Sequence, residues 1–231
     1  MAQISIIIPV LNEQAGIEAF LQSLQSLRPQ CELILVDGGS DDNTVALTHP
    51  YVDDVIHTEQ GRAIQMNVGA ATASAPILLF LHADTYLPEN AISQIRQAID
   101  EGYHWGRFDI SLTGQHSLLK LIACLMNIRS RLSGIATGDQ AIFVTKELFE
   151  QQGDYKHIAL MEDIDLSARL KQVCKPFCSR SKVISSGRRW ISFGVIKTIV
   201  LMWWLRFRYF SGAKPESLAK LYKAGKFWTA E

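Results

Sequence analysis

Four times in its first hundred residues the chain passes from a short apolar run to a helical pattern, and this alternation restricts its fold more than any other feature. Ile4 to Val10 is a β-branched run. Ile17, Phe20, Leu21, Leu24 and Leu27 then recur at helical spacing within Glu13 to Leu27. A second run, Glu32 to Val36, is closed by the turn-forming cluster Asp37-Gly38-Gly39-Ser40-Asp41-Asp42-Asn43. Asp53 to His57 and Pro76 to Leu81 supply two more runs, with an Ala-rich helix predicted from Gly61 to Ser74 between them. Pro88 opens a further helix reaching Ile99. Strands and helices in alternation bury their apolar faces as a mostly parallel sheet with helices on both sides, so the expected class is α/β. Ligands of such sheets sit beyond the carboxyl ends of the strands. Chemistry is therefore expected where these runs stop, and the most informative stop is Leu79-Phe80-Leu81-His82-Ala83-Asp84.

The second half is less regular. Trp105 to Leu112 alternates like a strand, Ser117 to Ser133 reads as a helix, and Ala141 to Thr145 is a strand. Glu162 to Gln172 reads as a helix and Lys182 to Ile184 as a short strand. No repeat or low-complexity linker divides the chain, and 231 residues at 48% hydrophobic content bury a core without disulfides. The four cysteines, Cys31, Cys124, Cys174 and Cys178, form no CxxC pair and are expected as reduced, mostly buried thiols. Lys plus Arg equal Asp plus Glu at 23 each, which argues against a nucleic-acid binder relying on a general positive field.

The amino terminus lacks the basic start of a signal peptide, and a cytoplasmic location is expected. No uncharged apolar run approaches the ~20 residues of a spanning helix. Ile196 to Phe210 nevertheless sets Trp203, Trp204, Phe207, Tyr209 and Phe210 beside Arg206 and Arg208. That composition suits an interfacial helix at the inner face of a membrane, or a helix packed on the rest of the chain or on a second copy. Glu216 to Gly225 reads as a final short helix.

Two common phosphate-binding patterns, GxxxxGK[ST] and a GxGxxG after the first strand, are absent. Acidic strand ends, at Glu13 and Asp37, suit the N–H and O–H groups of a base and ribose better than they suit phosphate. The same residues also make sense as turn formers and as acids favouring helix amino termini.

Taken in order, Ile6-Ile7-Ile8-Pro9-Val10-Leu11-Asn12-Glu13, Val36-Asp37-Gly38-Gly39-Ser40-Asp41-Asp42-Asn43-Thr44, Leu81-His82-Ala83-Asp84 and Met161-Glu162-Asp163 resemble the family 2 glycosyltransferases. The likeness spans roughly residues 3 to 190. Gly61 to Asn67, Gly138-Asp139-Gln140-Ala141-Ile142-Phe143 and Arg188-Arg189-Trp190 resemble its short bacterial branch known as rSAM/selenodomain-associated transferase 2. The resemblance implies a GT-A fold, a Rossmann-like sheet flanked by helices. Residues 1–190 would form the catalytic domain, with a nucleotide-binding half (1–100) and an acceptor half (101–190). Residues 191–231 would form a helical, aromatic and basic extension.

The resemblance also implies roles. Asp84 matches the last Asp of the DxD motif that holds Mg²⁺ or Mn²⁺ on a donor diphosphate, while His82 stands where an Asp is usual. Pro9, Glu13 and Asp37 would line the nucleotide pocket. Arg62 and Arg189 would steady the phosphates, a guanidinium being suited to bidentate pairing. Asp163 matches the catalytic base, and Asp139, Gln140, Glu162 and Trp190 would lie on the acceptor side. The expected partners are a nucleotide-sugar donor, UDP-linked, and a hydroxyl acceptor: a small molecule, a lipid headgroup or a glycan. Two alternatives stay open at this level: a nucleotidyltransferase that builds a sugar nucleotide, and a catalytically silent nucleotide-sugar-binding protein.

Overall fold

The structure, a computed structural model, describes residues 3–227. Eight strands form one sheet: β1 (Ile4–Val10), β2 (Cys31–Asp37), β3 (Asp54–His57), β4 (Ile77–Phe80), β5 (Thr85–Tyr86), β6 (Trp105–Leu112), β7 (Ile142–Thr145) and β8 (Phe177–Ser185), in spatial order 3-2-1-4-7-6-8-5. The first four pair in parallel, as the alternation requires. β7 runs antiparallel to both β4 and β6, so the second half makes the sheet mixed.

The isoleucine run of β1 is explained by burial on both faces. Ile4, Ile6 and Ile8 join one core with Leu33, Leu35 and Leu79, under α1 (Ile17–Leu24) and α4 (Ala91–Asp100). Ile7 points the other way, into a core with Ile34, Val36, Leu78 and Phe80 under α3 (Arg62–Thr72), α6 (Lys146–Gln151) and α7 (Glu162–Val173). Strands covered on both sides carry continuous apolar runs rather than alternation. α3 lies close on the sheet because Gly69 has no side chain: a Cβ there would stand 2.5 Å from Ile7 Cγ2.

Several boundaries differ from the sequence expectation, for physical reasons. The first helix begins at Ile17 rather than Glu13. Asn12 takes a left-handed conformation (φ 55°), and the N–H groups of Asn12, Glu13 and Gln14 donate to Ser40 Oγ, Thr44 Oγ1 and Asp42 Oδ2 instead of entering a helix. The strand expected at 182–184 extends over Phe177–Ser185. Its Ser179, Arg180 and Ser181 give no apolar pattern, and they fall where the pairing with β6 shifts register between Arg107 and Asp109. Of the thiols, only Cys31 is buried; Cys124 is exposed.

Beyond the sheet, α2 (Thr44–Thr48) follows β2. α5 (Leu118–Ser133), α8 (Arg188–Ser192), α9 (Val195–Phe210) and α10 (Pro215–Ala224) gather at the carboxyl ends of the strands. Leu201 and Leu205 of α9 and Leu218 and Leu221 of α10 pack on Met161 and Ile164, at the start of α7. No helix among the described residues is long and apolar enough to cross a membrane.

Candidate active site

A cavity of about 820 Å³ opens where the parallel strands end. Pro9 and Glu13 reach it from β1, His82 and Asp84 from β4, and Arg62 from the first residue of α3. Asp139 enters from the 3₁₀ turn Gly138–Gln140, Glu162 and Asp163 from the start of α7, and Arg189 and Trp190 from α8. Among the predicted site residues, only Asp37 and Gln140 stay out of its wall. Residues scattered along the sequence thus meet at the position where an open α/β sheet binds its ligand.

Asp163 is fixed by backbone donors. Its Oδ2 accepts from Gly138 N at 2.7 Å and its Oδ1 from Ile164 N at 2.7 Å, and each oxygen keeps acceptor capacity for a further hydrogen. Met161, just before, holds φ at +73°, a left-handed conformation costing of order 1 kcal/mol or more for a residue with a side chain. Burial of Met161 among α9 and α10 side chains offsets that cost and aims the helix start. The partner loop is equally close: a Cβ on Gly138 would lie 2.6 Å from the His82 ring, so the imidazole packs directly over the peptide that holds Asp163. Burial, and then the charge of Arg62, push the His82 pKa well below its ordinary value, so the ring is neutral.

The β1 and β4 ends carry a second set of charges. Glu13 is pushed up by burial and then by the charge of Asp84, which lines the same cavity. Asp84 is partly open to the cavity and faces Arg188, whose Nη2 lies 3.9 Å from its Oδ2. Arg62 sits 3.8 Å from Glu162; although burial opposes its charge, Glu162, Tyr222, Asp163 and Asp84 hold its pKa above the usual range. Glu162, nearly enclosed, is pushed up to about 7 by burial and by Asp163. Among the described residues no three His, Cys, Asp or Glu side chains converge into a metal cage. Asp84 instead suits a Mg²⁺ or Mn²⁺ ion held by one or two carboxylates and completed by phosphate oxygens, a common arrangement for these hard cations. The mutual repulsion of Glu13 and Asp84 is what such a cation would relieve.

Asp37 is buried and spends its oxygens on the turn after β2, accepting from Gly39 N, Ser40 N and Ser40 Oγ. Burial opposes its ionisation, but these bonds prevail and hold its pKa below the usual carboxylate value. Gln140 is fully buried and caps its own turn through Thr137 N. Arg189 lies over the Tyr222 ring, 3.5 Å from its centroid, and donates to the Tyr222 carbonyl, so much of its bonding secures α10. Gln65 ties the ends of β1 and β2 together by donating to Val10 O and Val36 O, both at 2.8 Å. Asn67 clamps the Tyr155 peptide from both sides rather than facing the cavity.

Three titratable cavity residues escaped the sequence reading of the site: Arg129 of α5, Arg206 of α9 and Tyr222 of α10. Arg206 stood out only as a charge in the aromatic tail. Arg129 carries no local motif, and nothing in a helical pattern says which turn will face a cavity assembled from three other helices.

Comparison with known proteins agrees with this architecture. The sequence model of Glycosyl transferase family 2 matches residues 5–118. An uncharacterized glycosyltransferase of Haemophilus influenzae is 30% identical over 73% of this chain and 62% of its own length. A PGL/p-HBAD biosynthesis glycosyltransferase of Mycobacterium tuberculosis is 42% identical over 37% of this chain and 36% of its own length, so the chain spans about a third of that relative. Among solved structures, S. aureus TarS 1-349 superposes with a TM-score of 0.64 at 15% identity, covering 86% of this chain and 64% of that one. The mannosyltransferase PcManGT from Pyrobaculum calidifontis, in complex with GDP-Man and Mn²⁺, superposes with a TM-score of 0.64 at 18% identity, covering 99% and 66%. With the matching family model, these sequence relatives and a sheet and cavity of the GT-A kind, the chain belongs to glycosyl transferase family 2.

Proposed function

We propose that this protein transfers a sugar from a nucleotide-diphosphate sugar, UDP-linked, to an acceptor hydroxyl with inversion at the anomeric carbon. The observation that carries the reading is that one cavity holds Asp84 at the end of β4 and, at the start of α7, a carboxylate fixed by two backbone N–H groups. TarS in complex with UDP-GlcNAc and PcManGT with GDP-Man and Mn²⁺ support a nucleotide-sugar donor. Residues 1–100 would bind the donor and 101–190 the acceptor, with 191–231 closing the acceptor side.

The acceptor oxygen attacks the anomeric carbon as the bond to the diphosphate oxygen breaks on the opposite face, and Asp163 takes the hydroxyl proton as the new bond forms. Gly138 N and Ile164 N prevent that carboxylate from turning away, so the base is positioned before the acceptor arrives. Mg²⁺ or Mn²⁺ held through Asp84 would supply neutralisation of the charge on the departing diphosphate. Arg62 and Arg188 stand beside it to pair with phosphate oxygens, and neutral His82 offers a ring nitrogen to the same ligand without adding charge. The exposed apolar residues of α5 and α9, with Lys197 and Arg208 exposed among them, would rest on an anionic membrane surface.

The test is a panel of UDP-, GDP- and dTDP-sugars with added Mn²⁺ or Mg²⁺, reading nucleoside diphosphate release and donor binding. Asp84→Ala should abolish the gain in donor affinity on adding metal. Full turnover on an authentic acceptor in both Asp84→Ala and Asp163→Asn would defeat the proposal. Release of pyrophosphate from a nucleoside triphosphate and sugar phosphate would favour a nucleotidyltransferase instead.

A further inference from the structure

Two of the arginines that line the cavity have neither an acid nor a hydrogen-bond acceptor paired with them among the described residues. Arg62 has Glu162 and Arg188 has Asp84 within 4 Å, and Arg189 is occupied by Tyr222. The guanidinium groups of Arg129 and Arg206 make no ion pair or hydrogen bond among the described residues, although both line the cavity. Arg129 Nε and Nη2 are buried without any partner. A buried, unpaired guanidinium is costly, and a second one lining the same cavity adds to the cost because like charges oppose each other. Burial, and then Arg206, press the Arg129 pKa down to about 10. Asp139 offsets part of this charge without pairing to either guanidinium: burial raises its own pKa, and its carboxylate accepts from Thr137 Oγ1.

The electrostatic neighbours also separate the two ends of the cavity. Arg129 and Arg206 feel Asp139 and Asp163, whereas Glu13 feels Asp84, Arg188 and Arg62. Leu201 and Leu205 of α9 also pack on Met161 and Ile164, on either side of Asp163, so the unpaired arginines of α5 and α9 stand on the base's side of the cavity rather than at the strand ends where a donor diphosphate would lie. Ile122 and Leu125 of α5 and Met202 of α9 line the wall between them, so the subsite opens along an apolar surface.

We propose that Arg129 and Arg206 form an anion-binding subsite on the acceptor side, and that the hydroxyl acceptor carries a phosphate or carboxylate beside the hydroxyl that is glycosylated. This rests on the glycosyl-transfer reading for its direction, but not for its measurement. The anion would come either from a free phosphorylated alcohol or from a lipid headgroup whose hydrocarbon lies along α5 and α9.

The experiment is calorimetric titration of the full chain with glycerol 3-phosphate and with glycerol, with and without saturating UDP and Mn²⁺, beside sedimentation with phosphatidylglycerol or phosphatidylcholine vesicles. Glycerol 3-phosphate or phosphatidylglycerol should bind where glycerol and phosphatidylcholine do not. UDP should leave that affinity within about threefold, and Arg129→Gln with Arg206→Gln should weaken it by about tenfold or more, as expected for loss of charge-assisted bonds. Arg206→Lys should keep most of the affinity, which a purely structural arginine would not require. UDP affinity should be unchanged in the double variant, so failure of the subsite is distinguishable from failure of donor binding. The proposal is overturned if neither anion binds, if UDP displaces the anion, or if Arg206→Lys loses as much as Arg206→Gln.

Discussion

The two walls of the cavity are built on different principles. The wall formed by strand ends and the start of α7 places its acids by backbone geometry: Asp163 is held by Gly138 N and Ile164 N, and the turn beyond β1 is stitched to Ser40, Asp42 and Thr44. The wall formed by α5 and α9 is tied to the sheet away from the cavity, where Asn127 bonds the Ile110 peptide and Arg131 pairs with Asp109, but it leaves Arg129 and Arg206 without partners and turns Leu121, Leu132, Trp203 and Phe207 toward solvent. The first wall is complete before any ligand arrives. The second has unmet charge and uncovered apolar area, which are what an acceptor would satisfy. On the proposed reading the chemistry would be set by the sheet, and the choice of acceptor by the helices laid across it.

The largest effect should come from the first wall. Asp163→Asn keeps the shape of the side chain but removes the proposed base, and transfer should fall by about 10²–10⁴-fold, the usual contribution of a positioned general base. Donor affinity should change little, because the Gly138 N and Ile164 N bonds end on oxygens that a rotated amide can offer only in part, and those bonds orient the base rather than the nucleotide. Single-turnover kinetics with separate donor titration would check the split; a loss confined to donor binding would move Asp163 from chemistry to positioning.

Gly138→Ala probes the same wall one step back. The new methyl would lie 2.6 Å from the imidazole of His82, so the ring or the turn must shift. Overpacking of this kind costs about 1–3 kcal/mol of stability, readable by urea denaturation. The accompanying loss of turnover should exceed any change in KM for the donor, since the displaced peptide is the one that donates to Asp163. His82→Ala in the same background should recover part of both losses; absence of recovery would show that the His82 contact is not what requires glycine.

How much of this was legible in the sequence follows the same division. The parallel half was, because β-branched runs buried on both faces and Gly- and Asp-rich turns are local signals, and the residues ending those runs reach the cavity by topology alone. Asp163 and Glu162 were legible through their order along the chain. Asp37 was read correctly as a strand-end acid, but whether its oxygens serve a ligand or its own turn depends on the position of Ser40, which a sequence does not fix. Arg129 was not legible: α5 has an ordinary amphipathic pattern, and a helix whose apolar stripe runs to the surface gives no sign of which turn meets α9. Arg189 illustrates the reverse case, a motif residue whose cation–π contact with Tyr222 appears only once α10 folds back.

Glu162, within the first wall, gives a pH signature. With its pKa raised from 4.5 to about 7, the folded chain holds this proton more tightly than the unfolded chain. The sign follows: between those two values the native state binds more protons, so its stability declines as pH rises and the full penalty is present above about 7. Glu162→Gln, which mimics the protonated form, should be more stable than the parent by roughly 1–3 kcal/mol near pH 8, with the difference shrinking to little near pH 4.5. Thermal melts across that range would check it. A parent that gains stability relative to the variant as pH rises would mean that the Arg62 pair outweighs burial.

The smallest effect on folding should come from the second wall, and it is the one that sets the two walls furthest apart. Phe207 and Phe210 are 63% and 69% exposed on α9, so Phe207→Ser with Phe210→Ser removes only their ring contacts with Trp204 and Tyr209 and should alter unfolding stability by about 1 kcal/mol or less. If that face rests on an anionic membrane, the same pair of changes removes two interfacial aromatic anchors, and sedimentation with phosphatidylglycerol vesicles should fall several-fold while soluble donor turnover is kept. Raising the salt should weaken the parent's vesicle binding as well, since Lys197 and Arg208 act through screened charge. Binding that survives both the substitutions and the salt would take the membrane contact away from α9, and leave its apolar face as a surface for another copy of the chain.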